Sequence, residues 1–144
     1  MSVEANTAKL QRFMDEVLTK HDLAVLDEVF HADYIEHEPP PGMGPGREGL
    51  RQWLAGWIAG FPDAQWAIEE QLADGDQVWT RSVWQGTHQG PFLGVPPTGK
   101  NVTVAAWTID QFTDGKIAES RIIMDTLGLM QQLGVIPMPG PPPA

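Results

Sequence analysis

Leu50-Arg51-Gln52-Trp53-Leu54-Ala55-Gly56-Trp57-Ile58-Ala59-Gly60-Phe61-Pro62-Asp63-Ala64-Gln65-Trp66-Ala67-Ile68 is where the chain changes its hydrophobic period. Up to Pro62, Leu50, Trp53, Leu54, Trp57, Ile58 and Phe61 recur at steps of three and four. That spacing makes one apolar face of a helix from about Arg47 to Phe61. Pro62 stops it, because a proline pushes the residue before it out of the helical region. Beyond Pro62 the period is two: Trp66, Ile68 and Leu72 alternate with polar or small residues, as in a strand with one buried face.

Upstream of this switch the pattern is helical. Leu10, Phe13, Met14, Val17 and Leu18 form one stripe of a helix from about Glu4 to Lys20. Asp22 is placed to cap a second short helix carrying Leu23, Leu26, Val29 and Phe30. Asp33 to Glu38 reads as a short strand, and Pro39 to Gly46 as a loop, since prolines and glycines there hold neither ladder nor helix. Downstream come strands. Val78–Thr87, Val102–Phe112 and Ile117–Met124 alternate, with Asp74-Gly75-Asp76 and Thr113-Asp114-Gly115-Lys116 as turns and Gln89–Lys100 as a Gly/Pro loop. Thr126–Leu133 reads as a last short helix closed by Gly134. Helices first and strands afterwards give an α+β fold. A bent, mainly antiparallel sheet wrapped around three N-terminal helices leaves an open end, hence a pocket. One domain is expected over residues 1–137, followed by a proline-rich tail, 138–144.

Composition narrows the function. The 144 residues fit one domain with a real core. Nine Lys+Arg against nineteen Asp+Glu give a net charge of -10, and the basic residues stand singly. A nucleic-acid partner or an anionic membrane surface needs a basic stripe, so neither is expected. There is no cysteine, which removes disulfides, thiolate metal sites and a Cys nucleophile. No metal site is expected, because the four histidines show no paired-ligand spacing. Ser2, Ser82 and Ser120 are not on nucleophile turns, and Gly42-Met43-Gly44-Pro45-Gly46 lacks the lysine of a phosphate loop. The first twenty residues carry no signal-peptide pattern and no apolar run is long enough to span a bilayer, so the expected location is the cytoplasm.

Polar residues set in apolar strands are the remaining candidates: Tyr34, His37, Arg81, His88, Thr108, Asp110, Glu119, Arg121 and Asp125. Asp125 ends the last strand and is either a general base with apolar neighbours or the N-cap of the last helix. His37 is either a proton shuttle or a strand-end histidine bonded to Glu36, Glu38 or backbone. His88, between Gly86-Thr87 and Gln89-Gly90, is either a pocket group or a rim histidine. Arg81 is an outer-face residue, half of an ion pair, or an anion clamp. Of the six tryptophans, Trp53 and Trp57 are most simply core, and Trp107 has small neighbours that leave space beside its ring.

Gly75-Asp76-Gln77-Val78, Gly86-Thr87-His88-Gln89-Gly90, Gly94-Val95-Pro96-Pro97-Thr98-Gly99-Lys100 and Asp114-Gly115-Lys116-Ile117 form an ordered set. Asp125 with Leu127-Gly128-Leu129 and Gln131-Gln132-Leu133-Gly134 continues it, and Phe61-Pro62-Asp63 and Tyr34-x-x-His37 fit as well. The set resembles the SnoaL-like polyketide cyclases, or ester cyclases, from about Leu10 to Pro137. The resemblance implies the nuclear transport factor 2-like fold, an α+β cone around a deep pocket. It implies a homodimer through the outer sheet face and chemistry without metal or organic cofactor. In the best-known members an aspartate on the last strand removes a proton beside a carbonyl, for an intramolecular aldol closure. One departure stands out: that aspartate lies three residues before the position of Asp125, where this chain has Ile122.

Three functions follow. The first is a cyclase, aldolase or isomerase acting on a small hydrophobic carbonyl compound. Asp125, His37 and His88 would be its catalytic groups, and Tyr34, Trp53, Trp57, Arg81, Phe92, Trp107, Ile122 and Met124 would bind the substrate. The second is an epoxide hydrolase with an Asp-Arg-Asp arrangement drawn from Arg81, Asp110 and Asp125, which an outward-pointing Asp110 would break. The third is a binding protein without chemistry.

Overall fold

The computed structural model describes residues 2–137, so the expected tail, 138–144, lies outside the described residues. The first helix begins as α1 (Val3–Arg12), with the Ser2 hydroxyl capping it by accepting from the Ala5 N–H at 3.0 Å. The sequence predicts one α-helix to Lys20, but Phe13–Thr19 winds as a π-helix. The wider turn brings Phe13, Met14, Val17 and Leu18 all to the buried side. Asp22 caps as expected, accepting from the Ala24 N–H at 3.2 Å. The segment it caps is a short 3₁₀ turn (Leu23–Val25) running into α2 (Leu26–Val29). Phe30 already belongs to β1 (Phe30–Glu36), which starts earlier than its sequence pattern suggests.

Helix α3 (Gly46–Gly60) fits its prediction to within a residue and ends before Pro62. The loop before it packs down on the helix: a Cβ at Gly49 would lie 1.9 Å from the Gly44 carbonyl oxygen, so only glycine permits this approach. Four strands follow, β2 (Gln65–Asp74), β3 (Gln77–Thr87), β4 (Asn101–Thr113) and β5 (Lys116–Met124), and then α4 (Thr126–Gln132). Asp114 and Gly115 both have positive φ (50° and 79°), as a two-residue hairpin turn requires.

The five strands form one mixed sheet in the order β1-β5-β4-β3-β2. β1 runs parallel to β5 and the other pairs are antiparallel. The even-numbered residues of β3 and β4, such as Val78, Trp84, Val102 and Val104, are buried against the helices. Trp57 of α3 is fully buried among Trp66 and Trp84, with ring centroids 5.5 and 5.3 Å away. One expectation fails in β2. Trp66 and Ile68 pack against the core, but a bulge between Ile68 and Glu70 reverses the alternation. Leu72 therefore lies on the outer face, 74% exposed.

Candidate active site

A narrow cavity of about 60 Å³ lies between the inner sheet face and the helices. The π-helical stretch contributes Phe13, Met14 and Leu18, and α3 contributes Leu50, Trp53 and Leu54. Pro40 and Met43 of the proline-rich loop stand at its edge. The polar residues are confined to the sheet: Tyr34 and Glu36 on β1, Thr108 and Asp110 on β4, Ser120 on β5. Register explains the grouping, because Glu36 pairs with Ser120, Ser120 with Asp110, and Ile122 with Thr108.

Asp110 is the group of greatest consequence. It is buried, and its carboxyl is pushed up to about 7. Burial is the main cause, and the charge of Glu36 adds to it; the hydroxyls of Ser120 and Thr108 act the other way. Ser120 Oγ donates to Asp110 Oδ1 in a short contact. Glu36 is pinned. Its Oε2 accepts from the N–H groups of Glu38 (2.9 Å) and Ile122 (3.1 Å), and its Oε1 accepts from the Tyr34 hydroxyl at 3.2 Å. Burial raises the Glu36 carboxyl above its ordinary value, and these three donors hold the rise back. Burial, with the charges of Glu36 and Asp110, also holds the Tyr34 phenol protonated. Among the described residues, Thr108 Oγ1 and Trp66 Nε1, buried donors of two cavity-lining residues, find no hydrogen-bond partner of good geometry.

The three catalytic residues expected from sequence are not brought together. Asp125 is exposed, and its Oδ1 accepts from the Gly128 N–H at 2.9 Å, capping α4. A Cβ at position 128 would meet Asp125 Oδ2 at 2.2 Å, so the cap also depends on that glycine. His37 is exposed and pairs with Glu119 at 2.7 Å, away from the cavity. His88 is fully buried, stacked on Phe61, and its Nδ1 accepts from the Thr98 N–H at 3.2 Å. It ties down the Gly/Pro loop and lines no part of the cavity.

Of the expected binding residues, Tyr34, Trp53, Ile122 and Met124 line the cavity. Trp57 and Phe92 sit behind it, and Phe92 packs edge-on against Trp53 at 6.1 Å. Arg81 and Trp107 are on the opposite face of the sheet. There the Arg81 guanidinium pairs with Glu70 at 2.6 Å and lies 5.8 Å over the Trp107 ring. Arg81 and Asp110 thus face opposite ways and Asp125 is a cap, so the Asp-Arg-Asp arrangement of an epoxide hydrolase is not assembled. Among the described residues, no group of three or more His, Asp or Glu is placed to hold a metal ion.

Sequence reasoning kept Asp110 among the polar strand residues and as an acid of the epoxide-hydrolase arrangement, not as the base, and it missed Glu36 as a site residue. Strand parity carries the signal for both: Val102, Val104, Ala106, Asp110 and Phe112 share one buried face, and so do Tyr34 and Glu36.

The sequence matches the family profile of the SnoaL-like polyketide cyclases over residues 8–133. The chain belongs to that family. Within it, this cyclase-family protein is 29% identical over 116 residues to the nogalonic acid methyl ester cyclase of Streptomyces nogalater, covering 76% of this chain and 83% of that protein. Its fold superimposes on TsrD from Streptomyces laurentii with a TM-score of 0.85 at 27% identity, covering 94% of this chain and 99% of TsrD. Wild-type IdmH from Streptomyces antibioticus gives 0.78 at 32% identity, over 90% and 99% of the two chains. The expected nuclear transport factor 2-like architecture is thus the observed one.

The cap at Asp125 gives a first test. Asn caps about as well as Asp, so Asp125→Asn is expected to leave the melting temperature within a degree or two of wild type. Asp125→Ala should lose about 1 kcal/mol of stability. Neither should change turnover, which an exchange assay on the folded variants checks.

Proposed function

We propose that this SnoaL-like protein catalyses proton abstraction from a small uncharged carbonyl compound bound in the inner cavity, leading to an intramolecular aldol-type cyclisation. The observation that carries the reading is Asp110, a buried carboxyl held near neutrality on the polar sheet side of a mainly apolar cavity. Its ionised form takes the proton from the carbon beside the carbonyl. The electron pair moves onto the carbonyl oxygen, for which the Thr108 hydroxyl and the Trp66 N–H are the candidate donors. The enolate carbon then attacks a second carbonyl of the same molecule, and the alkoxide formed takes back the proton from Asp110. Among the described residues, no cationic side chain lines the cavity and two carboxyl groups do, which disfavours an anionic ligand. The name of the Streptomyces nogalater relative, a methyl ester cyclase, agrees with an uncharged substrate.

Deuterium exchange into 2-tetralone, an uncharged bicyclic ketone, tests the reading. Exchange above the buffer rate, rising as pH passes through about 7, supports it. Binding without any exchange would instead make the protein a carrier. The rise has a direct cause: the base works only when ionised, so a carboxyl titrating near 7 is half active there.

The outer sheet face supports a second proposal, that two copies associate through it. Leu72, Trp79, Trp107 and Ile123 are 51–74% exposed on that face. They are contiguous, since Leu72 pairs with Trp79 and Trp107 with Ile123 across the strands. A patch of this kind is unfavourable in water and is self-complementary across a two-fold axis. Sedimentation at micromolar concentration should give twice the chain mass, and Trp107→Glu should give the monomer. A wild-type monomer under these conditions would refute the association.

A further inference from the structure

Glu36, Ser120 and Asp110 stand in one row across three neighbouring strands. Strands lie ~4.8 Å apart, so the two acidic residues are ~10 Å apart at the backbone with a hydroxyl between them. The row is continuous: Ser120 donates to Asp110, it sits beside the Tyr34 phenol, and Tyr34 donates to Glu36. Two backbone N–H groups fix the other oxygen of Glu36. Its charge is therefore fixed in place, half-buried at the edge of the cavity. The other groups facing Asp110 do not compensate it. β1 presents Tyr34 besides Glu36, β5 presents Ser120, and β3 presents Val78 at the paired position. The π-helical stretch and α3 present apolar chains and the Trp53 indole.

We propose that Glu36 is a positioning residue that acts on Asp110 across Ser120: its fixed charge makes the two carboxyls a coupled pair that holds one proton between them at neutral pH. Like charges sharing a low-dielectric site ionise in two steps that belong to the pair. A cavity walled only by Asp110 would lose its proton earlier and would hold a weaker base. Glu36 thereby strengthens the carboxylate that takes the substrate proton and later returns it. The inference rests on Asp110 being the working base, but its test needs no substrate.

Carboxyl-carbon NMR titration of the full chain is that test. Glu36→Gln removes the charge; its one amide oxygen can still accept from the Glu38 and Ile122 N–H groups while its NH2 donates to the Tyr34 hydroxyl oxygen. It should lower the Asp110 midpoint by about one pH unit, the worth of a charge ~10 Å away at an effective dielectric of ~20. Coupling is reciprocal, so Asp110→Asn should lower the Glu36 midpoint by a similar amount; either variant alone suffices if the other fails to fold. In the exchange assay, Glu36→Gln should move the pH profile down by the same amount while its high-pH plateau stays within a fewfold of wild type. Unchanged midpoints in the folded variants would overturn the pair, whatever the exchange rates. Shifted midpoints with no exchange in wild type would keep the pair and remove the catalytic reading of Asp110.

Discussion

Asp110→Asn is expected to slow deuterium exchange by ~10²–10⁴-fold, because an amide cannot accept the proton. It is also expected to stabilise the protein at pH 8. The native carboxyl titrates at about 7 against an ordinary value of 3.8. The native state therefore holds a proton that the unfolded chain has released throughout this window, and wild-type stability falls as pH rises from about 4 to about 7. Above that range the native state carries a buried charge, at a cost on the order of 4 kcal/mol. The asparagine variant has no such charge, and its amide oxygen can still accept from Ser120. Urea unfolding at pH 5 and pH 8 separates the cases. A gain in stability that is larger at pH 8, together with lost exchange, is the signature of a carboxyl kept for its chemistry. Equal destabilisation at both pH values with activity retained would show that Asp110 is part of the scaffold.

Trp57→Ala is expected to cost 3–5 kcal/mol, a large share of the stability of a domain this size. Trp57 is fully buried at the junction of α3, β2 and β3, and its edge-on contacts with Trp66 and Trp84 hold the helix to the sheet. Truncation leaves a void that these rigid rings cannot close. Trp57→Phe should be far milder. It keeps most of the contact and removes an indole N–H that has no partner in the native state. Thermal melts of the two variants check this. Equal losses would mean that the packing argument is wrong and that the N–H matters.

Much of the fold was legible because helix and strand differ in period. The switch at Pro62, the Asp-Gly turn at Asp114-Gly115 and the stop of α3 need only local chemistry. What was hidden is tertiary. A π turn and a β-bulge each insert a residue into a regular pattern, and nothing local in Phe13–Thr19 or Ile68–Glu70 announces them. The site was obscured by the outer face. Trp107 and Ile109 alternate with Thr108 and Asp110, so β4 carries large apolar residues on both sides and masks the parity that groups Asp110 with Val102, Val104 and Phe112. The two-faced character that hides Asp110 in the sequence also produces the exposed patch over Trp79 and Trp107. Asp125 drew attention as the last strand's aspartate, whereas the N-cap reading fits its contact with Gly128. Ser120 was set aside as a nucleophile and proves to be the hydroxyl that holds Asp110.

The account stands on one titration. In the wild-type protein, the carboxyl-carbon signal of Asp110, assigned by its loss in Asp110→Asn, should move through a midpoint at about 7. That result makes the buried carboxyl available as a base at neutral pH inside the cavity. A midpoint near the ordinary 3.8 would mean that water or a counter-charge reaches Asp110 in solution, and the proposed chemistry would lose its base.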